Sequence, residues 1–475
     1  MKRNARLISR AGALLAICGL VVACAVHQPE PLARPAASAW RNGSTLMHAE
    51  SPRLVSLRGW WREFEDADLD LLVQEALTNN LDVAQAVERL LKERALVGAE
   101  KARFRPTMSA GARMLQDTSA TDTFFHASVD VAWEPGLFGQ ADAAARASQA
   151  NLYGASVREQ GVRVAMVAAV VRHYLELRAL ARQAQLQLTS SRIEEQTAAL
   201  LRIRVQTRLG GQAELEQAQI RLAQLRAAQA QTWALHEASA QALSVLLGRD
   251  RPDPAWREAA ELSPRALRVA EVPADLVRTR PDIQAAEAEV LRAAAGVGAA
   301  RSMLYPKLAL NGSLLYAYNL TSNRKTSLDN APALGPVIDI PLWDWGARKL
   351  RVQAEQHELQ AALLAYRKAV LQGVSEVESA LAGLTAACER VDALHQAHEL
   401  AATQLRTQAK LQALGLASAL QRLDAERELQ RLEADLSASR LDRGIMFVAL
   451  YKALGGAPLP ASADESHAAL TGGAP

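Results

Sequence analysis

Four side chains near the end of the chain fall on one stripe of a predicted helix. Leu420, Asp424, Arg427 and Glu428 are spaced i, i+4, i+7 and i+8, so a helix presents them on the same face. An acid and a base three residues apart favour an ion pair, and a leucine in line with them favours an apolar constriction where copies of the helix converge on an axis. The alternative is an ordinary solvated pair, worth less than about 1 kcal/mol.

Other sets of residues that could bind a metal or take part in catalysis are weaker candidates. Asp392, His395 and His398 follow one another at three-residue steps and could ligate a metal from one helix, but mixed helix surfaces often produce such sets. The sequence contains no P-loop, no GxSxG motif and no glycine-rich dinucleotide fingerprint. We therefore predict no metal, no cofactor and no enzymatic activity.

The charge balance excludes another class of partner. The 54 basic and 51 acidic residues give a net charge of +3, and no block of one sign stands out that would bind a polyanion. The sequence therefore predicts no nucleic-acid partner.

The N-terminus is typical of an exported protein. Basic residues precede a short apolar run that ends in Val21-Val22-Ala23-Cys24, and this pattern predicts a signal peptide over residues 1–23. The ending resembles the bacterial lipobox, which implies that Cys24 becomes the acylated N-terminus of an outer-membrane lipoprotein. The alternative is a plain signal peptide with an incidental cysteine. Residues 24–58 are rich in proline and alanine and predict an extended tether.

Long helices must position the stripe that carries Leu420. After the first strand pair, helical sequence runs with scarcely a break over about 65 residues to a turn near Gly210, and it runs again from Trp345 to a turn near Gly415. Each turn is followed by a returning helix. The sequence thus predicts two structural repeats, over 59–248 and 282–456, an equatorial linker over 249–281 and a disordered tail over 457–475.

Each predicted repeat also contains a pair of strands. Residues 306–342 alternate between apolar and polar side chains, and residues 106–134 repeat the pattern less strongly. Strands of about ten residues with one apolar face can cross a bilayer when tilted. Four strands per chain cannot leave open edges in lipid, so they must close with copies of the chain. The polar faces favour three copies around a water-filled lumen over two.

Several local patterns together resemble the TolC-like family of outer-membrane efflux proteins, in its acylated NodT or OprM-like branch. The resemblance spans nearly the whole mature chain. One departure is Glu134-Pro135-Gly136, which stands where such proteins usually read Glu-Leu-Asp. The patterns are Cys24, Trp60-Trp61 with Phe64, Trp133-Glu134 with Leu137-Phe138-Gly139, Arg280-Pro281-Asp282-Ile283, Pro341-Leu342-Trp343-Asp344, Leu423-Asp424-Ala425 with Arg427, and Leu450-Tyr451-Lys452-Ala453-Leu454-Gly455-Gly456.

The resemblance implies a mainly α-helical fold with a membrane β-barrel. Long antiparallel helical hairpins would form a trimeric α-barrel, and four strands per chain would contribute to a shared 12-stranded β-barrel, with a small equatorial domain. It implies an outer-membrane homotrimer that extends into the periplasm and passively conducts small molecules from an inner-membrane transporter and a periplasmic adaptor. It also implies a periplasmic gate at Leu420, Asp424 and Arg427.

Two other functions remain open on the sequence alone. The first is an outer-membrane duct for type I secretion of polypeptides. The second is a periplasmic coiled-coil scaffold that is held to the membrane only by its lipid.

Overall fold

The computed structural model describes residues 59–116, 123–257, 279–321, 324–325 and 332–456. The predicted signal peptide, Cys24, the predicted tether, most of the predicted linker and the predicted tail lie outside these ranges. For those segments the sequence predictions stay predictions.

The described part of the chain is mainly helical, and it begins with a short 3₁₀ helix at Trp60–Phe64. Helices and strands follow in the order expected of two successive repeats. Their bounds are α1 Ala67–Asn79, α2 Leu81–Arg103, β1 Thr107–Gln116, β2 Thr123–Trp133, α3 Gln140–Gln206, α4 Gln212–Leu246, α5 Pro281–Ser302, β3 Lys307–Asn319, β4 Arg324–Lys325, β5 Pro332–Asp339, α6 Ala347–Ala413 and α7 Ala419–Ala453.

The helices of the two halves match in length. Helices α3 and α6 each have 67 residues, and α4 and α7 each have 35. The first and last residues of each pair are 207 positions apart, as for Gln140 and Ala347. At 1.5 Å per residue, α3 and α6 are each about 100 Å long. Long antiparallel hairpins of this size are confirmed.

Local capping explains where several helices begin. The Asp66 carboxylate accepts hydrogen bonds from the backbone N–H groups of Asp68 and Leu69, at 2.9 and 3.1 Å, and starts α1. The Asn80 side chain breaks α1 from α2 and accepts from the Val83 N–H at 3.0 Å. The sequence predicts this break at Asn79-Asn80, because asparagine is a strong helix cap.

The strands form one antiparallel sheet in the order β1-β2-β3-β5, and the two-residue β4 pairs with the end of β3. The register places Val131 opposite Gly312 and Asp130 opposite Ser313. Since alternate residues point to opposite faces, one face is apolar and the other is largely polar. The apolar face carries Met108, Ala110, Ala112, Met114, Phe125, Ala127, Val129, Val131, Trp133, Leu308, Leu310, Gly312, Leu314, Tyr316, Tyr318, Leu334, Pro336 and Ile338.

The described residues divide into two compact units. One contains the sheet and comprises Glu88–Val157 and Gln284–Ala369. The other contains the described parts of Ala36–Val87, Arg158–Ile283 and Val370–Pro475. Within the described residues, no helix combines the length and the apolar character that crossing a membrane requires.

The second unit has an aromatic cluster where the first described residues meet the last. The Trp60 indole stacks on the Tyr451 ring at 5.2 Å, and Phe447 packs edge-on against Phe64 at 5.5 Å. The Trp60 indole N–H also donates to the carbonyl of Gly456 at 3.3 Å. Trp60 is 1% exposed and Phe447 is 1% exposed, so this cluster fixes the end of α7 against the start of the described chain.

Candidate functional site

The predicted stripe begins at the turn between α6 and α7. Gly415 adopts a positive φ of 72°, which glycine reaches without steric cost, and the Leu416 N–H donates to the Leu411 carbonyl at 2.8 Å. Helix α7 then starts with a capping box in which Ser418 and Gln421 satisfy each other's backbone N–H groups. This rigid start fixes the direction of the side chains on the first turns of α7.

Leu420 lies on the first turn of α7 and is half-buried. It packs with Val205 against a small cluster of buried side chains on α3 and α4. The start of α7 is therefore held to the α3–α4 hairpin by apolar contact. The cluster comprises Ala198, Leu201, Leu215 and Ala218.

The structure brings Asp424 and Arg427 together, one turn apart. An Arg427 Nη1 hydrogen is donated to Asp424 Oδ1 at 2.7 Å. The Asp424 side chain is 64% exposed, so water screens this pair and its net value is about 0–1 kcal/mol. Taken by itself, it is the solvated i, i+3 pair that the sequence leaves open as an alternative.

A second carboxylate, which the sequence does not predict, also pairs with Arg427. The Arg427 Nε–H donates to Oε1 of Glu194 on α3 at 2.5 Å, and Arg221 Nε on α4 donates to Oε2 of the same carboxylate at 3.1 Å. The Glu194 side chain is only 3% exposed. One buried carboxylate thus joins three helices through two guanidinium groups, and we call Glu194, Arg221 and Arg427 the Glu194 cluster.

The electrostatics of the Glu194 cluster follow from its burial. Burial acts to lower the pKa of Arg427, but the hydrogen bond and charge of Glu194, followed by those of Asp424, outweigh it and raise the pKa above its usual value. Arg427 is therefore permanently charged. Removing one partner of a fully buried ion pair costs roughly 3–5 kcal/mol, and the cost here is smaller because the Arg427 and Arg221 side chains are each 32% exposed and Glu194 has two partners.

No local sequence pattern identifies Glu194 as a partner of Arg427. It is followed by a second glutamate, Glu195, which is exposed on the same helix, and 233 residues separate Glu194 from Arg427. No spacing rule links positions so far apart. The spacing of Ser418 and Gln421 is that of a capping box, and it indicates only where α7 begins.

The remaining candidates do not form a site. Cys24 lies outside the described ranges, so its acylation stays a prediction. Among the residues that the structure describes, no group of three or more histidine, cysteine or acidic side chains is placed to hold a metal ion. Asp392, His395 and His398 do not make such a group.

The corner between β2 and α3 carries the departure from the family pattern at Glu134-Pro135-Gly136. Gly136 has a φ of 65°, and a Cβ there would lie 2.5 Å from two ring carbons of Phe104. The Trp133 indole N–H donates to the Phe104 carbonyl at 2.9 Å. Glycine therefore stands at position 136 because the Phe104 ring occupies the space of a side chain.

Comparison with known proteins places this geometry in context. The family model described as "Outer membrane efflux protein" matches residues 72–249 and 272–456. Nodulation protein T of Rhizobium leguminosarum bv. viciae is 26% identical, over 69% of this chain and 69% of its own length. The pyoverdine export outer membrane protein OpmQ of Pseudomonas putida is 28% identical, over 93% of this chain and 96% of its own length.

A solved structure extends the comparison to the fold. The outer-membrane channel OprN is 26% identical and superposes with a TM-score of 0.77, over 91% of this chain and 99% of its own. The matched family and its structural neighbours are channel proteins and not enzymes.

Proposed function

The chain belongs to the outer membrane efflux protein family, and from this premise we propose that it is one subunit of the channel of a tripartite efflux system. In this system the channel passively conducts small molecules, received from an inner-membrane transporter through a periplasmic adaptor, across the outer membrane. The acyl group on Cys24 anchors the subunit in that membrane. The relatives named for pyoverdine export and for efflux support this direction of transport.

The observation that carries the proposal is the two-faced sheet. Its apolar face includes Val131, Leu310 and Ile338, and its opposite face includes Ser128, Asp130 and Asn311. Among the described strands, β1 and β5 each pair on one side only. A sheet of this kind is stable in lipid only when its edges are closed. Three copies close it into a 12-stranded barrel with a wet lumen.

The gate of this channel is formed by Leu420, Asp424 and Arg427. Helix α7 holds the gate closed while Leu420 packs on the α3–α4 hairpin and Arg427 is paired with Glu194. Contact with the adaptor at the helical turns opens the channel by favouring a second position of α7, so the gate is a two-state element biased by binding.

Single-channel recording tests the function and the gate together. The purified acylated chain is reconstituted in planar bilayers, and the variant Asp424→Asn/Arg427→Gln, which removes both charges and keeps both side chains polar, is compared with the natural sequence. We expect stable channels from both and a larger mean conductance from the variant. A chain that forms no channels and purifies as an elongated monomer would instead support the lipid-anchored scaffold.

A further inference from the structure

The two halves of the sheet end in matching corners, and only one of the two is covered. Phe138 and Trp345 each precede the glycine that leads into a long helix, and both adopt a positive φ of 58°. The Phe138 ring stacks on Tyr305 at 5.2 Å, with 13° between the ring planes. Trp345, by contrast, is 88% exposed.

The covered corner follows from the pairing of β2 with β3. Trp133, at the end of β2, lies opposite Leu310 of β3. Continuing this antiparallel register past the strand ends brings Phe138 to Tyr305, as observed. The stack is therefore the extension of the strand pairing into the corner.

The internal repeat relates this pair of residues to a second pair at the two edges of the sheet. Phe138 at the end of β2 corresponds to Trp345 after β5, 207 positions later. Tyr305 before β3 corresponds to Arg105 before β1, 200 positions earlier, just as Pro306 corresponds to Pro106. Because β1 and β5 lie on opposite edges of the sheet, β1 can play this part for β5 only if it comes from another chain.

We propose that Trp345 of one subunit stacks on Arg105 of a second copy of this chain, and that the contact fixes the register between subunits with Ile340 opposite Ala110. This inference rests on the proposed channel function. It identifies the partner surface of each subunit: the β5 corner of one copy receives the β1 corner of the next. The contact is heterologous, so it closes into a ring of three copies when each copy is rotated by a third of a turn from the last.

Three features of the chain support the contact. The transferred register pairs Ile338 with Ala112, so apolar side chains face apolar side chains across the junction and both sheets keep the same outer face. A guanidinium over an indole is the most favourable cation–π pair, and Arg105 is exposed. Trp343 and Leu342 beside Trp345 are 77% and 88% exposed, and a neighbouring subunit would cover them.

Cysteine cross-linking tests the register in the full-length acylated chain. In a Cys388→Ala background, which removes the free cysteine of the described residues, Ile340→Cys combined with Ala110→Cys should give covalent dimers and trimers on non-reducing gels after oxidation with copper phenanthroline. Side chains directly opposite across a strand pair are close enough for a disulfide. The matched control is Ile340→Cys with Gly111→Cys, which shifts one partner to the other face and should give none. Equal cross-linking of the two pairs, or none in either, would overturn the proposed register.

A second measurement tests the stacked pair. Arg105→Gln should lower the temperature at which detergent-resistant trimers dissociate, Arg105→Lys should stay closer to the natural chain, and adding Trp345→Ala to Arg105→Gln should cause no further drop. Fully additive losses would show that the two side chains do not touch. Conducting channels without the predicted cross-links would refute this contact and would not affect the proposed channel function. If the natural chain neither assembled nor conducted, both proposals would be refuted.

Discussion

Replacing Glu194 with glutamine should shift the proposed gate toward its open state. The Glu194 carboxylate is 3% exposed and accepts hydrogen bonds from Arg427 and Arg221 at 2.5 and 3.1 Å. Glutamine keeps the size of the side chain, but it removes the charge and turns one acceptor into a donor that faces a guanidinium. In the proposed gate only the closed state has the contact between Glu194 and Arg427, so the substitution destabilises only the closed state.

The magnitude follows from the contact with Arg427, since the contact with Arg221 lies within the α3–α4 hairpin and is present in both states. A hydrogen bond to a charged group contributes a net of about 1.5–3 kcal/mol, so the closed state loses about this much relative to the open state. Since 1.4 kcal/mol is a factor of ten in an equilibrium constant, the ratio of open to closed channels should rise roughly 10- to 100-fold. Because the Glu194 carboxylate is buried, most of this effect should persist at high salt.

The assay is the open probability of single channels in planar bilayers. The matched control is Glu195→Gln on the same helix, because the Glu195 side chain is 55% exposed and its nearest Arg226 nitrogen is 3.7 Å away. The control should behave like the natural chain. If Glu194→Gln and Glu195→Gln give the same open probability while both assemble normally, Glu194 does not hold the gate.

Two further predictions concern stability. Gly136→Ala should lower the free energy of unfolding by about 2–4 kcal/mol, since the new Cβ would lie 2.5 Å from the Phe104 ring. The control is Gly139→Ala, at a similar positive φ with no atom within 4 Å of the new Cβ, which should cost about 1 kcal/mol. Equal losses of the two variants in urea unfolding would contradict the steric explanation. Burial, followed by the charge of Glu287, raises the pKa of Tyr153 to about 12, so the folded state keeps a proton that the unfolded chain loses near pH 10. The melting temperature should therefore fall between about pH 10 and 12, and Tyr153→Phe should remove that part of the pH dependence.

Much of the fold was accessible from sequence because it depends on local rules. The turns at Gly210 and Gly415, the break at Asn80 and the alternation in the strands each follow from a few neighbouring residues. The fold class of long helical hairpins with four antiparallel strands is confirmed. The trimer, the domain division and the acylation of Cys24 stay predictions.

The parts that the sequence did not reveal depend on contacts between distant residues. Phe104 fills the space above Gly136 because α2 and the β2–α3 corner meet in three dimensions. Glu194 reaches Arg427 because α7 returns along α3. Neither contact leaves a spacing pattern in the sequence, since each partner is an ordinary residue in its own segment. The sequence therefore predicts only the α7 side of the proposed gate, the stripe of Leu420, Asp424 and Arg427, and not the carboxylate of Glu194 that accepts a hydrogen bond from Arg427.

A comparison of the two halves indicates which helix moves in the proposed gate. With the 207-residue offset, Leu420, Asp424 and Arg427 correspond to Ala213, Gln217 and Ile220 on α4, and Glu194 corresponds to Ala401, which is buried at 6% exposure. Helix α4 thus lacks all three residues of the proposed gate, and α6 has a small apolar side chain, Ala401, where α3 has the buried charge of Glu194. Since the ionic contact joins α7 to α3 and has no counterpart between the corresponding helices, the two hairpins are not equivalent at this level. A binding partner at the turns can release α7 by breaking contacts to Glu194 and to the Leu420 cluster, whereas the hairpin of α3 and α4 keeps its own packing and the Arg221 pairing. This asymmetry favours α7 as the mobile element and the α3–α4 hairpin as its fixed support.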